Sequence, residues 1–517
     1  MSQQVFSGTA HTISGEIRTY ENQGIKGTSS EETKYYEDVK PDFDKICWRI
    51  DDILAYFYVD TSGEVQKYDL PKLKERTKEI QVMEVVGSRG DEPITKKKAF
   101  IDLWEIDADK KKYRTMGLYP KNCPKDVYNL WKGFDIEKLG KECKDDGDIK
   151  PFRDLLLALV GGKIEDREYV EKWLAHLFQF PEKQTPIALV FQGTGGEGKS
   201  KFWKFIGELM GVNTFCSTDE PEKDIFEKHS TLLEGKKLAV FEEMEQATHK
   251  KRMRQLRNMI DGNGLLSFRP LNCPAYSVQN LVSFVFTSND KVPVVMYGHN
   301  NKRRFVLFQA EGTYRNGTKS AIDPKGQAPK DFWKKWLSWE TKVENKKAVF
   351  NHLMGLETSL DFLYDPDYKP QTQYHKEVIR KCLPLEVKWL DKFITEEFPK
   401  ECYTENDGAE TDTREVVVST NFLRNNFIAD HSFTNQISSC AFGMKLKELV
   451  MKDGLPFDNK CEAGKPLRTK IQNIAAWRFK RKDVYDWLFE KDYTDFKIEG
   501  HSLPPPVGCV ENSGFKK

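Results

Sequence analysis

The chain has 517 residues, enough for roughly two to four domains, and its 81 basic and 80 acidic side chains leave a formal net charge of +1. That balance excludes a global electrostatic field for nucleic acid or membrane, so any such surface must be a local basic patch. The ten cysteines form no C-x-x-C pair, which argues against a zinc module and for a reducing compartment. No apolar run approaches the roughly 20 residues a bilayer requires, and no signal-peptide pattern follows Met1. The expectation is a soluble intracellular protein, in cytoplasm or nucleus, with no membrane partner.

Residues 1–40 are rich in Ser, Thr, Gly and Glu and read as a weakly ordered segment. A mixed α/β region is expected over 41–150. Ala55–Val59, a turn at Ser62-Gly63 and Val65–Tyr68 read as a hairpin, and Pro71–Val86 reads as a charged helix. A second β-rich patch carries Phe100, Leu103, Trp104, Tyr113 and Tyr119, with its aromatics taken as core. Over 151–184 the pattern turns helical, with Val170, Trp173, Leu174, Leu177 and Phe178 on one face and Pro181 as the stop. This stretch is expected to form a helical collar.

The segment 185–312 carries the chemistry. Ile187-Ala188-Leu189-Val190-Phe191 reads as a strand buried on both faces. Gly193-Thr194-Gly195-Gly196-Glu197-Gly198-Lys199-Ser200 follows at once and fits the phosphate-loop pattern G-x-x-x-x-G-K-[ST]. Its glycines permit a tight loop whose N–H groups close around a polyphosphate. Phe202, Phe205, Ile206, Leu209 and Met210 then recur at helical spacing, placing a helix N-terminus at the phosphates.

Lys237–Phe241 reads as a second buried strand, delivering Glu242 and Glu243 to its carboxyl end. A magnesium–nucleotide needs one carboxylate near the metal and another to activate water, tasks assigned here to Glu242 and Glu243 in that order. Ser200 is expected to share the Mg2+ with Glu242. A third strand, Leu281–Phe286, runs into Asn289, a candidate hydrogen-bond partner for the γ-phosphate or the attacking water. Arg303-Arg304 precedes a fourth strand, Phe305–Phe308. Such a pair is either surface charge or an arginine finger.

Beyond the motor, 313–375 is expected to add helices, and 370–384 reads as a linker. Helical patches at Val387–Ile394, Asn421–Phe427 and Phe442–Met451 precede a basic, aromatic run from Arg468 to Lys482. That run is a candidate surface for DNA or a partner protein. Pro504–Pro506 opens a flexible tail over 501–517.

Taken in this order, the motifs resemble those of superfamily 3 helicases of DNA viruses and phages, above all the helicase part of poxvirus-type and phage primase-helicases. The resemblance runs over roughly residues 98–380. It implies an α/β fold: a P-loop AAA+ motor with a central parallel sheet, and a winged-helix-like domain over 385–500. It also implies ATP and Mg2+ as cofactors, single-stranded or forked DNA as partner, and a homo-oligomer, expected to be a hexamer. In that family a helix and a channel hairpin lie between the second and third motor strands; Leu256–Gly262 looks like the helix end and Leu266–Val278 like the hairpin. Arg257 and Arg269 are the DNA-contact candidates, although the hairpin tip lacks the family's usual Lys. About 95 residues precede the resemblance, too few for the primase many relatives carry; a separate primase or polymerase is a candidate partner. Three functions compete: a ring helicase, a DNA-binding initiator or packaging ATPase, and a phosphate-loop nucleotide kinase. The adjacent acids favour water activation over an acceptor pocket.

Overall fold

The computed structural model describes residues 35–493 apart from 61–62, 64, 90–91, 140–146, 262–263, 272–273, 297–302, 316–326, 360–367, 397, 399–414, 431–436, 461–465, 469–474 and 492. The expected weak segment up to residue 34, the 501–517 tail, Ser62, Gly262, Lys302 and the hairpin tip Asn272-Cys273 lie outside the described residues. Among the described residues, no helix is long and apolar enough to cross a membrane.

The amino-terminal region is mixed α/β. Helix α1 (Tyr36–Ile46) leads into β1 (Cys47–Ile50), β2 (Ala55–Val59) and β3 (Val65–Tyr68), then α2 (Leu70–Arg76), β4 (Gln81–Arg89), β5 (Glu92–Ala99) and α3 (Phe100–Ile106). Short strands β6 (Lys112–Tyr113), β7 (Thr115–Gly117) and β8 (Val127–Asn129) complete it. The β2–β3 hairpin is as the alternation predicts, pairing Val59 with Val65. Two expectations fail here. The charged helix over Pro71–Val86 stops at Arg76, because Gln81–Arg89 pairs with Glu92–Ala99 in a two-stranded ribbon. Phe100–Trp104 is helical, and Phe100, Ile101 and Trp104 close one core with Phe43 and Tyr58.

The expected collar is α4 (Lys150–Leu159) and α5 (Ile164–Gln179). The segment 185–312 follows: β9 (Ala188–Gln192), α6 (Lys199–Met210), β10 (Phe215–Thr218), α7 (Pro221–Asp224), β11 (Leu238–Phe241) and α8 (Gln246–Ile260). Next come the hairpin β12 (Leu265–Phe268) and β13 (Tyr276–Gln279), then β14 (Ser283–Ser288) and β15 (Phe305–Gln309). The central sheet has the order β10-β11-β14-β9-β15, and every pairing is parallel. Period-2 alternation sends Ala188, Val190, Phe241, Phe286 and Leu307 into one core, and Leu189, Phe191, Val240, Val285 and Phe308 into another. Both faces are covered, which is why these strands read as continuous apolar runs.

Helices α9 (Gln327–Glu340) and α10 (Val343–Gly355) pack on the second of these cores through Trp336, Trp339, Val349 and Leu353. The presumed linker at 370–384 is instead helix α11 (Gln373–Cys382), capped by Thr372 and buried through Tyr374, Val378 and Ile379. Its first turn hangs from β15, since Thr372 Oγ1 donates to Leu307 O at 2.6 Å. The remaining elements are α12 (Leu385–Thr395), β16 (Glu415–Ser419), α13 (Thr420–Asp430), α14 (Ser439–Asp453), β17 (Ala476–Lys480) and α15 (Arg481–Glu490). Strands β16 and β17 pair antiparallel. The basic, aromatic run is only partly a surface. Trp477 and Phe479 are core, and Arg481, 2% exposed, donates to Ile394 O at 2.8 Å and lies over the Phe398 ring.

Candidate active site

In an open parallel sheet, ligands bind outside the carboxyl ends of the strands. Here β9, β11 and β14 all end on that edge, and β14 lies between the other two. The strand order therefore places Asn289, just past β14, between the phosphate-loop lysine and the acidic pair.

The 193–200 segment forms the loop joining β9 to α6. Gly193 N donates to Ser288 O at 3.1 Å, tying the loop's start to β14. Gly198 has φ +96°, and a Cβ there would stand 2.4 Å from the Trp333 ring, so only glycine fits both backbone and neighbour. Thr194 Oγ1 donates to Glu197 Oε1 at 2.7 Å. Lys199 is buried, and its Nζ donates to Gly193 O at 2.6 Å, Thr194 O at 3.1 Å and Asn289 Oδ1 at 3.2 Å. Burial pulls its pKa down, with Glu197 and Glu243 pulling the other way.

The two acids have different surroundings. Glu242 Oε2 accepts from Ser200 Oγ at 2.5 Å, bringing together the two residues expected to share a cation. Glu243 accepts from Asn289 Nδ2 at 3.0 and 2.8 Å on its two oxygens. Its backbone is left-handed, φ +51°, a region non-glycine residues seldom occupy and one associated with functional sites. The next residue holds that turn: Met244 N donates to Thr287 O at 2.9 Å, and Ser288 Oγ donates to Met244 O at 2.6 Å. Lys199, Asn289 and Glu243 thus form one continuous polar chain along the sheet edge.

A cleft of about 370 Å³ opens beside the loop, lined by Gly193, Thr194, Glu197, Lys291, Tyr374 and Lys381 among others. Glu197 is buried and its Oε2 has no hydrogen-bond partner.

The arginines divide. Arg303 is exposed, whereas Arg304 is 5% exposed and grips Asp261 through Nε and a terminal nitrogen, both at 2.5 Å. Arg304 is thus engaged within its own chain. Both precede β15, which runs parallel to β9, so they sit at the opposite edge of the sheet from their own phosphate loop. Five residues of strand separate the two edges, roughly 16 Å at 3.3 Å per residue. Arg257 is half-buried, with its guanidinium against Met253 Sδ and its pKa lowered by burial and by nearby Arg304. It belongs to the Arg304–Asp261 cluster more than to an open DNA surface. Arg269 is exposed at the end of β12, and its carbonyl contacts the His229 ring nitrogen at 2.7 Å. Sequence reasoning passed over Asp261 as a partner for Arg304; 43 residues separate them, and only a tertiary contact pairs them.

The strand, glycine loop and helix on a parallel sheet, with acids and Asn at the same edge, define an α/β protein built around a candidate polyphosphate site. Among the comparisons with known proteins, two solved structures bear on the fold. A family model described as a family of unknown function (DUF5906) matches residues 191–304, from the end of β9 to the arginine pair. No curated protein matches. The chain is similar to the apo structure of the NrS-1 C-terminal region, with a TM-score of 0.55 and 12% identity over 84% of this chain and 95% of that one. An A-form apo structure of the same region gives a TM-score of 0.55 and 13% identity, over 84% and 96%. A JCV helicase with a bound acetamide compound scores 0.27 at 11% identity, over 46% and 61%, a likeness that carries no argument. At such identities the NrS-1 structures establish the shared fold, and activity must be argued from this chain's own residues.

Proposed function

We propose that this chain is an ATP-driven, ring-forming DNA helicase of the superfamily 3 type, with an AAA+ motor that couples ATP hydrolysis to translocation on single-stranded DNA. The observation that carries this reading is the polar chain Lys199–Asn289–Glu243, with Ser200–Glu242 beside it on one sheet edge.

ATP with Mg2+ supplies the scissile phosphoanhydride and the cation that neutralises its charge. The donor set fits them: N–H groups of Gly193–Ser200 and the Lys199 ammonium for the phosphates, Ser200 Oγ and Glu242 for the cation. Lys199 Nζ donates to the Gly193 and Thr194 carbonyls, which keeps the ammonium within the loop. Glu243 accepts the proton of the attacking water, and Asn289 orients both that carboxylate and the water. Arg303, at the far edge of its own sheet, reaches a neighbouring subunit's nucleotide, which requires a ring; a hexamer is the expected size. Arg269 on the β12–β13 hairpin faces the DNA, and phosphate contacts of this kind make binding fall with salt. The carboxyl-terminal helices with the β16–β17 ribbon serve as a winged-helix-like docking module for DNA or for a separate primase or polymerase.

The test is strand displacement from a forked DNA duplex with ATP and magnesium. ATP-dependent displacement is expected. Hydrolysis without displacement would favour an initiator or packaging ATPase, and phosphoryl transfer to a small acceptor would favour a kinase.

A further inference from the structure

The root of the β12–β13 hairpin is unusually well tied down. The last turn of a helix leaves carbonyls without helical partners, and two buried amides take one of them at the end of α8. Gln184 Nε2 and Asn280 Nδ2 both donate to Met259 O at 2.7 Å. Gln184 also donates to Val282 O at 2.6 Å, and Asn280 N donates to Gly264 O at 3.1 Å, closing the base of the hairpin. One residue beyond α8, Asp261 is held by both prongs of Arg304. The carbonyl of Arg304 in turn accepts from Ala188 N at 2.7 Å, the first residue of the strand that delivers the phosphate loop.

We propose that Arg304 is a positioning residue: its bidentate pair with Asp261 pins the root of the β12–β13 hairpin to the phosphate-loop strand, so that movement at the nucleotide is transmitted to DNA. The inference rests on the helicase reading above. A two-pronged guanidinium–carboxylate pair fixes orientation as well as distance, which a single ammonium does not. Withdrawing Arg304 toward a neighbour's nucleotide would strand the Asp261 carboxylate at the end of a helix, where the dipole already disfavours negative charge. Arg303, exposed one residue earlier, is free of that cost and keeps the role of the trans cation.

The experiment uses the full chain with Arg304→Ala, Asp261→Asn, the double variant and Arg304→Lys. ATP consumed and strand displaced are followed in the same reaction, with Tm measured alongside. Each single variant should displace about tenfold less strand per ATP, within the range by which residues between coupled sites modulate coupling, while basal hydrolysis stays within about twofold. The double variant should be no worse than either single, since both remove one interaction. Arg304→Lys, which keeps the charge and loses the fork, should fail to restore coupling. If Arg304 acts on the neighbour's nucleotide, Asp261→Asn will match wild type while Arg304→Ala loses hydrolysis, and the proposal falls. Equal loss of hydrolysis and displacement with a lowered Tm marks a purely structural pair and also overturns it. Wild-type chain that hydrolyses ATP without displacing strand overturns the functional reading, and this inference with it. Displacement by wild type with unaltered coupling in Asp261→Asn overturns this inference alone.

Discussion

Asn289 is the position where one substitution should separate catalysis from folding. It is exposed, so removing its side chain should change stability by no more than about 0.5 kcal/mol. It nonetheless joins two charged groups, accepting from Lys199 at 3.2 Å and donating to both oxygens of Glu243. Hydrogen bonds to charged groups contribute about 1.5–3 kcal/mol each. The exposed Glu243 contact is partly replaced by water, so the loss at the transition state should amount to one such bond, about 2–3 kcal/mol. Each 1.36 kcal/mol is tenfold in rate, so Asn289→Ala should lower kcat for ATP hydrolysis by roughly 30- to 150-fold with an unchanged Tm. KM should move little, because the loop N–H groups and Lys199 still hold the phosphates. Asn289→Asp should be at least as damaging, since it places a second carboxylate against Glu243. A well-folded Asn289→Ala chain whose kcat lies within threefold of wild type would refute the role given to the Lys199–Asn289–Glu243 chain.

Glu243→Gln should bind ATP and fail to hydrolyse it, whereas Glu242→Gln should raise the magnesium concentration that hydrolysis requires; the opposite pattern in ATPase and nucleotide-binding assays would reverse the two roles. Lys199→Ala and Arg303→Ala should each be inactive alone and regain partial ATPase when mixed, because mixed rings pair an intact loop with an intact neighbouring arginine; no rescue in rings shown to contain both would end the trans assignment. Lys237 is fully buried at the start of β11, and burial brings its pKa to about 7 from an ordinary value of 10.5. Its penalty on folding is therefore complete below pH of about 7 and fades as pH rises toward 10.5. Lys237→Met should raise neutral-pH stability by about 2–4 kcal/mol, after allowing for the lost bond to the Lys183 carbonyl. Denaturant titrations at pH 7 and pH 10 should show that gain shrinking, and an equal gain at both would contradict the buried-ammonium account.

The parallel-sheet region was legible in the sequence because its signals are local. An apolar run followed by four glycines and Lys-Ser needs no distant partner to become strand, loop and helix, and the burial of β9, β11, β14 and β15 follows from their predominantly apolar composition. The same locality explains the misreadings. Pro71–Val86 is rich in Lys and Glu, and only the partner strand Glu92–Ala99 converts its second half from helix to ribbon. Phe100–Trp104 is a short apolar run that periodicity alone does not assign. Residues 373–382 were hidden by their Pro, Gln and Thr prelude, although Thr372 caps the helix by accepting from His375 N at 3.0 Å.

Three features belong to the tertiary structure alone. Strand order, set by long-range pairing, puts Asn289 between Lys199 and Glu243, where sequence gave three separate motifs. Parallel pairing of β15 with β9 carries Arg303 to the edge opposite its own phosphate loop. In the turn that leads into β15, Arg303 meets solvent while Arg304 turns inward to Asp261. Two adjacent arginines are chemically identical in the sequence; which one is buried depends on a carboxylate 43 residues away that only folding brings alongside.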